Sequence, residues 1–526
     1  MTSILKYLNR ALLVLLLAAF AACSDNEGGN ESNGNGDDGN TETPADGDTY
    51  GYIKDTNGNP VEGVVVSDGY SCTATDAEGR YALTRNADAG FVFYSLPSAY
   101  KVSVDKTYKL PRFFARLQAG TARYDFTLEA LAAPEKRFDL ICIGDPQINE
   151  ASHAVRFKEE AGREIREYAA SAGVPCYGIT LGDHVNNKWT LFTNMVVALQ
   201  PEQTGVPVFA TIGNHDHEFP TADEKAARAK YESYFGPVDY SFNRGDVHVV
   251  SMDNVIHSCK ASADYEGGFT AAQYAWLKQD LSFVPKDKMV ILCVHIPFRG
   301  GWGTNSAHAD ADKYYDEVLD LLSQYEYAAI MSAHTHSNIN YIHRKNGKEI
   351  FEHVTGTTCG AWWRSTVCTE GTPIGFGLYR IDGNRMEEWA YRSVRHDEQF
   401  QIRLYRASDT FVGGAKYRFK QTGADQIVAN IWNWDPSWTV NVYENDVLSG
   451  QMTRNSDIDA WTVAYHIGLL NNTNSYRKSS DHMFHYTLKN PAAAVRVEAI
   501  DRFGNKYEQT VFTDPAEHPG DFHADF

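Results

Sequence analysis

The sequence is poor in positive charge for its length. Its 526 residues include 48 Lys and Arg against 68 Asp and Glu, so the formal net charge is −20. Proteins that bind a nucleic-acid duplex use a concentrated basic surface, and we therefore expect no such duplex as a partner. An acidic chain that binds an anionic molecule needs a local source of positive charge, and metal ions are one such source.

Long apolar runs are also scarce. The apolar segment from Ala11 to Ala22 is too short to cross a bilayer as a helix, which takes about 20 residues. It follows Lys6 and Arg10 and ends at Cys23, a pattern typical of an export signal. We therefore predict a signal peptide over residues 1–22.

The end of this segment, from Phe20 to Cys23, resembles the lipobox of bacterial lipoproteins, in which the cysteine is lipidated and becomes the new N-terminus. Residues 23–49 are rich in Ser, Asp, Asn, Glu, Gly and Thr, so they cannot bury enough apolar surface to fold, and we predict a disordered acidic tether. These features predict an exported protein anchored by lipid in the bacterial cell envelope, at the outer membrane, with the membrane face left open. The alternative is an ordinary signal peptide in which Cys23 is incidental.

Cysteine is rare as well, at eight residues. If one of them carries lipid, seven remain, and a fully paired disulfide framework within the chain is impossible. Cys142, Cys176 and Cys293 lie in or beside apolar runs and are predicted to be buried thiols. Cys359 and Cys368 could pair across a loop, and the sequence leaves that pairing open.

The length predicts two or three domains. Residues 50–130 show short alternating runs separated by turn residues, which predicts a small β-sandwich; residues 76–83 within it resemble the carboxypeptidase-regulatory-like modules. Residues 137–375 alternate apolar strands with helical stretches, which predicts a layered α/β domain. Residues 385–526 return to alternation and predict a β-rich domain.

In the central segment, polar residues come repeatedly at the end of an apolar run. Ligands of open α/β sheets bind at the carboxyl ends of the strands, so five such ends carrying Asp, Asn and His predict one site. Carboxylate and amide oxygens mixed with imidazole are ligands for divalent transition metals, and the absence of cysteine argues against a structural zinc site. The candidate ligands, enough for two ions, are Asp145, Asp183, Asn214, His295, His334 and His336.

Five short motifs occur in order along residues 137–360. They are Asp145-x-Gln147, Gly182-Asp183, Gly213-Asn-His-Asp216, His295 and Ala333-His-Thr-His336. The series resembles the calcineurin-like metallophosphoesterases, and the flanking segments are similar to those of a bacterial branch of that family. The resemblance implies a central four-layer α/β/β/α domain that hydrolyses phosphate monoesters or diesters with two divalent ions, Mn, Fe or Zn. Expected substrates are phosphorylated small molecules, phosphosugars or lipids.

The resemblance also implies roles for individual residues. One metal would be held by Asp145, Gln147, Asp183 and His336, and the other by Asp183, Asn214, His295 and His334, so that Asp183 bridges the two. Gln147 stands where the family more often has His. Beside the metals, His215 would stabilise charge on the phosphate or protonate the leaving oxygen, and Asp216 could orient it.

Several alternatives stay open at this point. Gln147 favours a surface binding or scaffold protein with a degenerate phosphoesterase domain. Arg299 could bind phosphate or form an exposed salt bridge. Trp362 and Trp363 could stack on a base or sugar, or they could pack between domains. The aromatic residues of the β domains also permit contact with glycans.

Overall fold

The computed structural model describes residues 48–261, 264–299, 313–407, 419–420, 423–471 and 476–513. The predicted signal peptide, Cys23 and nearly all of the predicted tether lie outside these residues. Among the helices of the described ranges, none combines the length and the apolar character that a membrane crossing requires. The seven cysteines found there are all free thiols, so Cys359 and Cys368 are not bonded to each other.

The N-terminal module is a pair of small sheets, as the alternating pattern predicts. Buried Ile53 and Tyr81 sit on paired strands, and polar residues punctuate the turns. The strand orders are β4-β1-β7 and β3-β2-β5-β6. The strands are β1 (Thr49–Asp55), β2 (Val65–Ser67), β3 (Cys72–Ala74), β4 (Arg80–Leu83), β5 (Phe91–Tyr94), β6 (Phe114–Arg116) and β7 (Phe126–Leu128).

The central domain contains two larger sheets and a short hairpin, β13-β14. Its strands are β8 (Arg137–Ile143), β9 (Cys176–Leu181), β10 (Val208–Thr211), β11 (Tyr240–Arg244), β12 (Val247–Ser251), β13 (Val255–His257), β14 (Tyr265–Gly267), β15 (Met289–Cys293), β16 (Tyr327–Ser332), β17 (Ile339–Lys345), β18 (Lys348–Val354), β19 (Gly375–Asp382) and β20 (Arg385–Ser393).

Helices connect these strands. The helix α6 begins at a capping box, in which the Thr270 hydroxyl accepts from the Gln273 N–H (3.3 Å) and the Gln273 side chain accepts from the Thr270 N–H (2.9 Å). A π-helical segment, Lys158–Gly162, joins α1 to α2. The helices are α1 (Ala151–Phe157), α2 (Arg163–Ser171), α3 (Phe192–Ala198), α4 (Pro201–Thr204), α5 (Glu224–Phe235), α6 (Ala271–Ser282) and α7 (Tyr315–Leu322).

The two sheets pack face to face, with strand orders β10-β9-β8-β19-β20 and β11-β12-β15-β16-β18-β17. On β8, Leu140 and Cys142 belong to the core between the sheets, whereas Ile141 and Ile143 pack on the opposite face against α1 and α2. Helices α6 and α7 cover the outer face of the six-stranded sheet. Successive residues of a strand point to opposite faces, so a strand apolar on both faces requires two covers. The four-layer α/β/β/α arrangement is thereby confirmed.

The central sheet continues beyond residue 375, the predicted end of this domain. Strand β19 pairs with β8, placing Tyr379 opposite Leu140, and β20 pairs with β19. The sheet therefore ends at Ser393. The boundary was misplaced because an antiparallel edge hairpin has the same alternating pattern as the β-rich domain that follows it.

The C-terminal domain is β-rich, as predicted. It has two four-stranded sheets, ordered β21-β22-β28-β25 and β24-β23-β29-β30, and a two-stranded ribbon, β26-β27. A short helix, α8 (Ala460–Thr462), runs into a π-helical segment, Val463–Leu469. The strands are β21 (Arg403–Arg406), β22 (Gln426–Asn430), β23 (Thr439–Glu444), β24 (Val447–Gln451), β25 (Thr453–Arg454), β26 (Asp457–Ile458), β27 (Ser479–Ser480), β28 (Met483–Thr487), β29 (Val495–Ile500) and β30 (Lys506–Gln509).

Candidate metal centre

Five strand ends of the central domain meet at one place. Strands β8, β9 and β10 are mutually parallel, as are β12, β15 and β16, so within each sheet the carboxyl ends lie at one edge. Asp183, His295 and His334 form one group of potential ligands, and Asp145, Asp183 and His336 form another. Within each group, one ligand atom from each residue lies within 4.8 Å of the others, and all of these residues are buried. Asp183 belongs to both groups.

The two predicted amide ligands lie in the same cluster. The Asn214 Oδ1 atom is 2.9 Å from His295 Nε2 and 3.0 Å from His334 Nδ1. The Gln147 Nε2 atom donates to Asp183 Oδ2 over 3.2 Å. All seven residues predicted as ligands are therefore together in the fold.

Two oxygen atoms in this cluster test whether it suits a cation. Asp145 Oδ1 and Gln147 Oε1 are buried, and neither accepts a hydrogen bond. Buried oxygens without a donor cost free energy, and folded proteins almost always satisfy them. Oxygens left in this state beside imidazoles and a second carboxylate are a donor set that fits divalent transition metals.

Burial and neighbouring charges leave two of the candidate imidazoles neutral and one, His295, protonated. Burial opposes ionisation of Asp183, but His295 and His215 outweigh it, so the pKa of Asp183 lies well below its usual range. Burial also disfavours a charged His295, yet Asp183 outweighs it and raises the pKa of His295 to about 9. Burial lowers the pKa of His336 to about 3 and that of His334 well below its usual value. The last two imidazoles are therefore neutral near pH 7, the form that binds metal.

The backbone at these strand ends is strained. Five of the seven candidate ligands have positive φ angles, a conformation uncommon for residues other than glycine. Such strain persists only where the surroundings impose it, and it clusters at functional sites. A hydrogen bond from the Gln147 N–H to the Asp183 carbonyl (2.6 Å) ties two of the turns together. The residues are Asp145 (40°), Gln147 (38°), Asp183 (52°), His334 (64°) and His336 (56°).

Two glycines of the motifs make room for the cluster. A Cβ atom on Gly182, whose φ is +94°, would lie 2.4 Å from His295 Nδ1, and one on Gly213 would lie 2.4 Å from Asp183 Oδ1. Both distances are far inside van der Waals contact. These positions therefore admit only glycine if the side chains around them are to keep their places.

His215 lies at the edge of the cluster and is only partly buried. Its backbone N–H donates to Asp183 Oδ1 over 2.8 Å, and its Nδ1 atom lies 2.8 Å from Asn187 Oδ1. The sequence reasoning missed Asn187. Its one signal was its place four residues after Asp183 in the same turn, in a residue type that tolerates positive φ; its φ is 55°.

The prediction that Asp216 orients His215 is wrong. The Asp216 carboxylate instead accepts from the backbone N–H groups of Gly213 (3.0 Å), His184 (2.8 Å) and Val185 (3.2 Å), and it lies 2.9 Å from His184 Nδ1. Adjacent residues of this tight turn point in different directions. Asp216 therefore joins the turn after β10 to the turn after β9 and holds the scaffold of the site.

The two tryptophans predicted near the site have different positions. Trp363 is buried at 2% exposure, donates through Nε1 to the Pro146 carbonyl (2.8 Å) and stacks on His153. It belongs to the core and cannot contact a substrate, so packing is the correct alternative for it. Trp362 is half-buried, and its ring centroid lies 4.9 Å from that of His336.

Arg299 is exposed, and its guanidinium lies 5.5 Å from the centroid of the Tyr341 ring. Within the described ranges Arg299 forms no salt bridge, and its contact with phosphate stays a prediction. The position instead shows a cation over an aromatic face.

A layered α/β domain whose strand ends converge on two carboxylate and imidazole groups is a metal-binding hydrolase scaffold. Three family models match the chain in order: the N terminal of Calcineurin-like phosphoesterase over residues 48–131, Calcineurin-like phosphoesterase over residues 124–338, and the C terminal of Calcineurin-like phosphoesterase over residues 352–507. The chain belongs to the calcineurin-like phosphoesterases, and the resemblance of its five motifs to that family is confirmed; membership of a bacterial branch stays a prediction.

Known proteins resemble parts of the chain. Purple acid phosphatase 23 of Arabidopsis thaliana is 26% identical over 181 residues, which cover 31% of this chain and 36% of the relative. Purple acid phosphatase 18 of the same plant is 25% identical over 182 residues, 32% of this chain and 38% of the relative. The chain thus spans less than two-fifths of the length of these relatives.

Solved structures resemble about half of the chain. A purple acid phosphatase from yellow lupin (Lupinus luteus) seeds shares 14% identity, with a TM-score of 0.36 and coverage of 50% of this chain and 53% of the other. A 5'-nucleotidase from Candida albicans shares 12% identity, with a TM-score of 0.31 and coverage of 50% and 52%.

Proposed function

We propose that this protein hydrolyses phosphate monoesters or diesters at a centre of two divalent metal ions. The observation that carries the proposal is the pair of buried ligand groups that share Asp183. Asp145, Gln147 and His336 would complete one metal site, and Asn214, His295 and His334 the other. The chemistry such a pair supplies is activation of water and neutralisation of phosphoryl charge.

His215 is proposed to act on the substrate directly. With Nδ1 donating to Asn187 Oδ1, Nε2 is the ring atom left to face the phosphate. In hydrolysis the P–O bond breaks, the water oxygen joins phosphorus and the leaving oxygen takes a proton. A histidine at this edge can donate that proton or stabilise the charge on the phosphoryl oxygens.

The test is to load the purified protein with Mn²⁺, Fe²⁺ or Zn²⁺ and measure both metal content and nitrophenol release. The substrates are p-nitrophenyl phosphate and bis(p-nitrophenyl) phosphate. We expect about two ions per chain, as in other two-metal sites, and hydrolysis of at least one ester. A protein that binds no metal and hydrolyses neither ester would support the scaffold alternative instead.

The natural substrate is proposed to be a phosphorylated small molecule, with phosphosugars and phospholipid head groups as the first candidates for a screen. Contact with glycans through the C-terminal domain would need rings other than Trp432, Trp438 and Trp461, which are at most 8% exposed; Trp434 is half-buried. Buried rings cannot offer a stacking face to a sugar.

The protein is further proposed to be exported and anchored through a lipid on Cys23. The support is the apolar segment followed by the lipobox-like residues. Metabolic labelling with a fatty acid should mark the wild type and not the Cys23→Ala variant. Labelling that persists in the variant would reject the anchor.

A further inference from the structure

An open cleft of about 650 Å³ lies beside the metal centre. Three of its seven lining residues are cations, namely Arg364, Arg477 and Lys478, and two are aromatic, Trp362 and Tyr476. No Asp or Glu is among the described residues that line it. The chain has a net charge of −20, so a cleft lined in this way is locally positive on an acidic protein.

The cleft adjoins the candidate metal site through one side chain. Trp362 lines it, and the same ring lies 4.9 Å, centroid to centroid, from the candidate ligand His336. Asn149 and Asn186, which complete the lining, follow the turns that carry Asp145 and Asp183. A substrate whose phosphate sits on the metal centre would therefore extend its leaving group over Trp362 into the cleft.

Two of the three cations, Arg477 and Lys478, come from the C-terminal domain, and hydrogen bonds hold their backbone against the central domain. His466 links both sides, with Nε2 at 2.6 Å from Ser365 Oγ and Nδ1 at 2.6 Å from the Tyr476 carbonyl. The Lys478 N–H donates to the Thr369 carbonyl over 2.8 Å. These contacts fix the backbone that carries Arg477 and Lys478 against the segment that bears Trp362, so less of the chain has to be ordered when a ligand binds.

We propose that this cleft binds a second anionic group, carried by the leaving group of the phosphate ester, and so makes the enzyme selective for substrates with two anionic groups. The inference rests on the proposed hydrolysis at the metal centre and adds the class of substrate. A phosphate or a carboxylate at the far end of the leaving group would meet Arg477 and Lys478, while its carbon frame lies over Trp362. Arginine suits such an oxyanion because its fork of N–H donors matches the oxygen atoms.

The state of Lys478 supports this assignment. Burial lowers the pKa of its ammonium group to about 7, against the opposing effect of Glu370. A cation held in surroundings that disfavour its charge is stabilised when an anion binds beside it.

The experiment compares three esters that differ only in the second group: glycerol monophosphate, phosphoglycerate and glycerol bisphosphate. We measure kcat and KM for phosphate release by the metal-loaded protein, and binding of each compound by isothermal titration calorimetry. We expect kcat/KM to be about ten- to a hundredfold higher for an ester with a second anion, mainly through KM, as charged hydrogen bonds allow. The phosphoglycerate and bisphosphate arms distinguish a carboxylate from a phosphate as the preferred group.

Variants locate the effect. Arg477→Gln and Lys478→Met should each reduce the preference for the doubly anionic ester about tenfold, and the preference should fall as salt is raised. Arg344→Gln is the matched control, because Arg344 is an exposed arginine paired with Glu349 (2.8 Å) on the β17-β18 hairpin; its preference should equal that of the wild type.

Two results would overturn the proposal. One is equal kcat/KM and equal affinity for all three esters, with hydrolysis intact. The other is a preference that survives in Arg477→Gln and Lys478→Met. Absence of hydrolysis for these esters and for both nitrophenyl esters would refute the proposed activity instead, and calorimetry would still decide whether the cleft selects a second anion.

Discussion

The segment from Gly213 to His217 contains two halves whose side chains face in opposite directions. Asn214 and His215 face the metal centre, where Asn214 Oδ1 lies within 3.0 Å of two imidazoles. Asp216 and His217 face away from it, and His217 contacts the Gly213 carbonyl (2.9 Å) and Asp253 Oδ2 (3.2 Å). Neighbours in one turn, with the same kinds of side chain, thus supply a candidate ligand, a candidate catalytic group and the scaffold that holds them.

What separates the two halves is whether their polar atoms are satisfied. The Asp216 carboxylate has four donors or ring partners from the protein itself. Asp145 Oδ1, across the centre, is buried without a hydrogen bond. The satisfied Asp216 carboxylate needs nothing further, whereas Asp145 Oδ1, beside imidazoles and a second carboxylate, is an oxygen that fits a cation. The residue type alone does not show which of these two carboxylates is satisfied and which can bind a cation.

The largest effect is expected from Asp183, which belongs to both ligand groups. Asp183→Ala should reduce metal content from about two ions per chain to less than one. It should cost several kcal/mol of transition-state stabilisation, on the order of 10⁴-fold in kcat/KM. Metal analysis and p-nitrophenyl phosphate hydrolysis measure both, with circular dichroism to verify folding. Two retained ions in a folded variant would contradict the shared-ligand assignment.

Substitution of His215 should reduce catalysis and leave the metal content unchanged. His215→Gln removes the ring that faces the substrate but no candidate ligand, so kcat should fall about 10²–10³-fold with metal content unchanged. Asn187→Ala removes the partner of His215 Nδ1 and should lower kcat about tenfold. Loss of the metals in His215→Gln would place this residue among the ligands instead.

Substitution of Asp216 should reduce the stability of the fold rather than act on catalysis directly. Asp216→Ala leaves a buried His184 and three backbone N–H groups without their acceptor, so the free energy of unfolding should fall by about 3–5 kcal/mol. The folded fraction should keep both metals. Urea denaturation and metal analysis of the folded protein measure these properties. A variant as stable as the wild type but inactive would restore Asp216 to a catalytic role.

The smallest effect concerns pH and Asp239, beside the network of His217 and Asp253. Burial and the nearby Asp253 raise the pKa of Asp239 to about 7, from an ordinary 3.8. Between these pH values the folded protein binds more protons than the unfolded chain, so the free energy of unfolding contributed by this group falls as pH rises, by about 1.4 kcal/mol for each pKa unit of difference.

Asp239→Asn removes that titration while keeping one side-chain acceptor. Thermal melts at pH 5 and pH 8 should show a smaller loss of stability on raising the pH for the variant than for the wild type. Equal losses in both proteins would place the pH dependence elsewhere in the chain.

Some features of the fold could be predicted because they depend on residues that are close together in the sequence. The strand ends that precede Asp145 and Asp183 are short apolar runs followed by a polar residue, and the capping box at Thr270 has the expected side chains three residues apart. Helix α5 begins at Glu224, directly after its N-cap Asp223, and ends at Phe235, directly before Gly236. Local periodicity and capping act over a few residues, so they are visible without the fold.

Other features depend on contacts between distant parts of the chain. Trp362 and Trp363 are adjacent, yet one lines the cleft and the other is core, because the donor bond of Trp363 goes to Pro146, 217 residues away. The pairing of β19 with β8 joins segments more than 230 residues apart. No local pattern distinguishes such an edge strand from one of the next domain.

By itself, the sequence determined which residues can bind metal and that they follow strands, since both depend on residue chemistry and on patterns a few residues long. Only the tertiary structure decided which side chains of a turn face the centre and that Asn187 is the partner of His215. It also decided that Arg477 and Lys478 of the C-terminal domain line the cleft. Those outcomes are set by the direction of each side chain after long-range packing, and packing is a property of the whole fold.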